Sequence, residues 1–142
     1  MRSAFLEQNS GATAGFKKKV VNVDAAITLT NDDSGKVYML SATGGTVAVT
    51  LPTSLEDGVY YKFIVEEETP SNAITIAAGS AIVSLVMKDA GGNASNSTVG
   101  TQVSNLIIGT SAQKGDYIDL MAAGGEWVGE CLSGIDDAVT TS

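Results

Sequence analysis

Three pairs of aspartates are the residues whose spacing could do chemistry: Asp32 with Asp33, Asp116 with Asp119, and Asp136 with Asp137. Two carboxyl groups held ~5–10 Å apart can divide the acid and base work of glycoside hydrolysis. Each pair, however, stands in or beside a glycine-bearing turn, where Asp is favoured for its side-chain bonds to the backbone. Turn chemistry is therefore the leading reading for all three. A Ca²⁺ site is the alternative for Asp116 and Asp119, but calcium takes about six to eight oxygens and no EF-hand-like run supplies them locally. The chain has no histidine, which removes the usual general base, proton shuttle and metal ligand together. A Ser or Cys nucleophile would have to borrow a Lys or a carboxylate. No P-loop, no G-x-G-x-x-G after a strand, no H-E-x-x-H, no G-x-S-x-G and no C-x-x-C occurs. The residues read as those of a non-enzyme, with no catalytic, cofactor-binding or metal-ligating set.

Three other positions have a functional and a plain reading. Cys131 is the only cysteine, so it forms no intramolecular disulfide and reads as a small buried hydrophobe. Trp127 could stack on a sugar or a base, but it follows Gly124-Gly125 within a strand-like run, which favours a core or interface role. Asn93-Ala94-Ser95 and Asn96-Ser97-Thr98 match the glycosylation sequon. Without a secretory signal that match carries little.

The composition sets the frame for these residues. In 142 residues, 44% are apolar, 17% are charged, and 16 Gly stand against 2 Pro. That excludes a chain disordered throughout and fits one modest core with tight turns. The net charge of −8 is unevenly placed. Arg2, Lys17, Lys18 and Lys19 face only Glu7 in the first 19 residues, whereas the rest of the chain sets four lysines against 15 acids. A basic arm on an acidic body points to different partners for each. The acidic body argues against nucleic acid as the main ligand. No apolar run approaches the ~18 residues of a membrane span, and the start lacks the apolar centre of a secretory signal. The chain is expected in the cytosol, or in something assembled there.

The elements that would position all this are strands. Short alternating runs at 20–23, 27–30, 36–40, 46–51, 60–65, 74–77, 81–88, 104–109, 117–122 and 126–131 are separated by Gly, Asn, Asp and Pro turns. The last two read as a hairpin about Gly124-Gly125. The spacing predicts an all-β sandwich or barrel of about 8–10 short antiparallel strands. Residues 20–132 form that single domain, with 1–19 as an extended arm and 133–142 as a polar tail. The arm carries Phe5, Leu6 and Phe16 beside Lys17, Lys18 and Lys19. Such a segment buries little alone, so it is read as an anchor that orders on a partner, for example by adding a strand to a sheet edge. Residues 89–102 form a long polar loop, a length that is usually functional or mobile.

The run from Leu29 to Pro52, LTNDDSGKVYMLSATGGTVAVTLP, is followed by DGVYYKFIV, AITIAAGSAIV and GDYIDLMAAGGEWV. Across residues 27–130 this pattern resembles a β-rich module of tailed-bacteriophage virion proteins, found in capsid decoration (cement) proteins and in head- or tail-fibre proteins. The resemblance implies a jelly-roll or β-tulip-like fold. It further implies a homotrimer on the outer surface of the virion capsid, made in the host cytoplasm and bound to the major capsid protein. Phe5, Leu6, Phe16 and Lys17–Lys19 would then grip the shell and help it resist the pressure of packed DNA. The alternative is a fibre module binding a host receptor or glycan, with residues 89–102 and Trp127 as contacts.

Overall fold

A computed structural model describes residues 17–89 and 101–142. Among these residues the regular secondary structure is almost entirely strand, arranged as two facing mixed sheets. The strands are β1 (Val20–Val23), β2 (Ile27–Thr28), β3 (Val37–Leu40), β4 (Val47–Thr50), β5 (Tyr60–Val65), β6 (Ile74–Ala77), β7 (Val83–Asp89), β8 (Thr101–Val103), β9 (Asn105–Ile108), β10 (Tyr117–Ala123), β11 (Glu126–Ser133) and β12 (Val139–Thr141). A seven-stranded sheet has the order β1-β3-β5-β10-β11-β7-β8, and a five-stranded sheet the order β12-β9-β6-β4-β2.

The all-β sandwich is as the sequence predicts, but strand direction is not. β1, β3 and β5 run parallel to one another, as do β2, β4 and β6, and β7 runs parallel to β11. Parallel neighbours need a long crossover, usually a helix. Here the crossover is a strand of the opposite layer, because the chain alternates between the sheets from β1 to β7. Short glycine turns thus carry the chain from one layer to the other, where they had read as hairpin turns. Only the later strands pair as hairpins do. β10 and β11 are antiparallel, with Ala123 opposite Glu126 and a two-residue loop between them. Gly124 (φ 64°) and Gly125 (φ 84°) supply the two positive φ angles that such a loop requires.

The core between the layers is asymmetric. The seven-stranded sheet contributes Tyr38, Tyr61, Phe63 and Trp127, all buried. Tyr38 stacks on Phe63 at 5.6 Å between ring centroids, and Tyr61 meets Trp127 at 5.5 Å. The five-stranded sheet answers with aliphatic Val47, Val49, Ile74, Ile76, Leu106 and Ile108. Large aromatics against branched aliphatics fill the inter-sheet space with few rotatable bonds. The Tyr61 hydroxyl donates to the Thr30 carbonyl at 2.6 Å, so its polar tip is satisfied at the rim. Gly129 sits where β11 passes β10 so closely that a Cβ would lie 1.8 Å from the Asp119 carbonyl oxygen.

The C-terminal stretch differs from the expected tail. Val139–Thr141 pairs with β9, and Ala138 and Val139 are buried. Asn105 and Ser142 close this edge with reciprocal backbone bonds of 3.0 and 3.1 Å. Two apolar residues in a polar run suffice because a free sheet edge is available to them.

Candidate interaction surfaces

One aspartate in each of the first two pairs, Asp33 and Asp116, serves the backbone. Asp33 accepts from the Thr30 amide and hydroxyl, each at 2.9 Å, and pairs with Lys36. The Lys36 contact and these hydrogen bonds hold its carboxyl below the ordinary value. Asp116 is buried and accepts the Gln113 and Gly134 amides at 2.8 Å each, tying the turn before β10 to the end of β11. Asp119, three residues on, lies on the outer face and meets Lys62 at 3.4 Å. Asp116 and Asp119 therefore point to opposite sides of β10, and the shared ion site considered from sequence is not assembled. Asp137 holds a left-handed backbone turn (φ 56°). Cys131 is buried, and desolvation pushes its thiol up to about 12.

Of the anticipated arm residues, Phe5, Leu6 and Phe16 lie outside the described residues. Lys17, Lys18 and Lys19 are exposed where the chain enters edge strand β1. The Lys19 carbonyl accepts the Val37 amide at 2.9 Å, which fixes this entry against β3. Lys18 turns over the outer face of the seven-stranded sheet, its ammonium 5.8 Å from the centroid of the Tyr60 ring. Gly35 lies between them, and a Cβ there would come within 3.3 Å of the Tyr60 hydroxyl.

That outer face is unlike an ordinary solvated one. The five large apolar side chains exposed among the described residues all belong to strands of this sheet or their ends: Val20 (56%), Tyr60 (41%), Ile82 (41%), Met121 (45%) and Leu132 (39%). The register aligns Tyr60, Met121 and Val128 across β5, β10 and β11. The next row is Lys62, Asp119, Glu130 and Val86. Its charges are largely paired: Lys62 with Asp119, and Lys88 with Glu130 at 3.9 Å. Lys62 also stands 4.2 Å from the centroid of Tyr117, whose hydroxyl donates to Glu130 at 3.3 Å. Desolvation first, then the Glu130 carboxylate, raise the Tyr117 phenol above its ordinary value. A shallow groove of about 630 Å³ runs over this face, walled by Tyr60, Met121, Val128 and Val86, with Lys18 at one side.

The outer face of the five-stranded sheet is uncharged and, Ile107 and Asn105 apart, built of Thr and Ala side chains. Thr28, Thr50, Ala77 and Asn105 form one row, and Ala48, Thr75, Ile107 and Thr140 the next. No protein-family model matches the chain, and no curated protein matches it.

Two contacts proposed for a fibre module fare differently. Trp127 is fully buried against Tyr61, so it offers no stacking face to a glycan. Asp89 ends β7 and Thr101-Gln102 begin β8, while residues 90–100 of that loop lie outside the described residues. The groove was missed in the sequence, although a signal existed. The run YYKFIV is apolar in both phases of its alternation, the mark of a strand covered on both sides.

Proposed function

We propose that this chain is a structural virion protein, a capsid decoration protein that binds the outer surface of a tailed-phage shell as a homotrimer. The observation that carries the reading is the placing of charge. Lys17, Lys18 and Lys19 stand exposed at the edge of a sandwich whose remaining surface is strongly acidic. On this reading the residues that precede them act as a separate binding element, to which Phe5, Leu6 and Phe16 add apolar grip. The uncharged outer face of the five-stranded sheet is where acidic copies can approach without repulsion. Three arms on one trimer multiply modest contacts, and the binding free energy adds directly to the stability of the assembled shell.

The test is thermal rupture of undecorated capsids with and without saturating protein. A raised rupture temperature is expected, and equal temperatures overturn the reading. Removing residues 1–16 and changing Lys17 and Lys19 to Ser should abolish binding while circular dichroism keeps the native β signal.

A further inference from the structure

We infer that the groove on the seven-stranded sheet binds a neutral oligosaccharide, with Tyr60 as the stacking ring and Asp119 and Glu130 as acceptors for its hydroxyls. The inference goes beyond the capsid reading and stands without it. The register sets three rows across this face. Tyr60, Met121 and Val128 form the first, Lys62, Asp119 and Glu130 the second, and Ile64, Tyr117 and Leu132 the third. Residues two apart on a strand are about 7 Å apart, so a polar row runs between two apolar ones at that spacing. The groove holds about 630 Å³, within the range of roughly 300–1,000 Å³ usual for ligand sites.

Charge narrows the choice of occupant. Lys18, Lys62 and Lys88 stand against Asp119, Glu126 and Glu130, so this face carries no local excess of either sign. A charged ligand therefore gains no net attraction. A purely apolar one would strip water from the ionic row and return no hydrogen bonds. A peptide spends its backbone groups on a sheet edge, whereas this groove lies on a sheet face. A second copy of the acidic body would bring like charge to the same carboxylates.

The groove leaves open acceptors beside an aromatic ring. An ionised carboxylate offers about four lone-pair sites. Among the described residues, Lys62 meets Asp119 at 3.4 Å, while the Tyr117 hydroxyl and Lys88 meet Glu130 at 3.3 and 3.9 Å. Sites therefore remain on both carboxylates, which are direct cross-strand partners lining the groove. Sugar hydroxyls donate to such a pair and accept from the lysines, because a hydroxyl does both. The C–H face of the same sugar ring rests on Tyr60, which is exposed and holds the Lys18 ammonium 5.8 Å from its centroid. Both carboxylates stand as ion pairs with lysines. That suits binding, not the protonation of a glycosidic oxygen that hydrolysis requires.

The experiment applies the labelled full chain to a printed array of neutral and acidic oligosaccharides, with cellohexaose, maltohexaose and chitohexaose among the neutral ones. The neutral oligosaccharide held most tightly is then titrated by calorimetry. Retention of a neutral member is expected, with a Kd that stays level from about 50 to 500 mM salt, since no net charge is neutralised. Tyr60→Ala should weaken binding about tenfold through the lost stacking face. Glu130→Ala should do so by a similar factor through the lost acceptor, and Met121→Lys serves if either fails to fold. Thr75→Lys on the opposite face should leave the Kd unchanged. An array that retains no neutral oligosaccharide, a preference for acidic ones, or a Kd that climbs steeply with salt would overturn the proposal. So would binding indifferent to the three groove substitutions.

Discussion

The two outer faces of this sandwich differ in almost every property that governs docking. One presents Tyr60, Met121, Val128 and Leu132 around paired charges, with a basic entry segment at its edge. The other presents mainly threonines and alanines, with Asn105 and a half-buried Ile107, and no formal charge on its strands. Large apolar side chains gain most from being covered. A flat uncharged face gains little by itself, but it allows acidic bodies to meet. On the proposed function, the plain face is the one at which neighbouring copies meet, and the groove lies outside that contact.

The interior carries the same division, and it can be broken most severely on the seven-stranded side. Gly129→Ala would place a methyl group inside the Asp119 carbonyl. A cost of roughly 4 kcal/mol or more is expected, seen as loss of a cooperative melting transition. Trp127→Ala empties the aromatic cluster and should cost about 3–5 kcal/mol by denaturant titration. Asp116→Ala leaves two amides without their acceptor and should cost about 1–3 kcal/mol.

Alkali separates the two layers chemically. Burial pushes Cys131 and Tyr38 up to about 12 and raises Tyr61 as well. All three belong to the seven-stranded sheet. The folded state keeps these protons longer than the unfolded chain does, so deprotonation favours unfolding. Stability from these groups is full below the ordinary thiol value of 9.0 and is lost as pH rises toward about 12. Denaturant midpoints measured from pH 8 to 12 should fall across that window, and Cys131→Ala should make the fall shallower. The smallest effects on stability are expected on the outer faces, where Met121→Lys and Thr75→Lys should each stay within about 0.5 kcal/mol. Their effects on association should differ.

Much of this division was legible in the residues. Alternation located β1, β5, β6, β10 and β11 closely, and Gly124-Gly125 marked the one tight hairpin named in advance. Turn-bound Asp33 and Asp116 and the buried Trp127 and Cys131 were also read from local context. Direction was hidden, because period-2 alternation is the same in a parallel and an antiparallel strand. Absence of helices then suggested hairpins, whereas strands of the facing layer supply the crossovers. β12 was hidden for another reason: Ala138 and Val139 form too short an apolar run to be seen without the free edge of β9. The groove could have been found from YYKFIV, had its second apolar phase been weighed as a covered face. Sequence patterning placed Lys17–Lys19 at the boundary of the body, but only the register showed which face they overlook.

The most direct test of the account is the solution mass of the full chain beside its two face variants, by sedimentation equilibrium. The wild type and Met121→Lys should each weigh three chains of 14.5 kDa, and Thr75→Lys should fall toward one. A single-chain mass for the wild type, or a trimer lost with Met121→Lys and kept with Thr75→Lys, would contradict it.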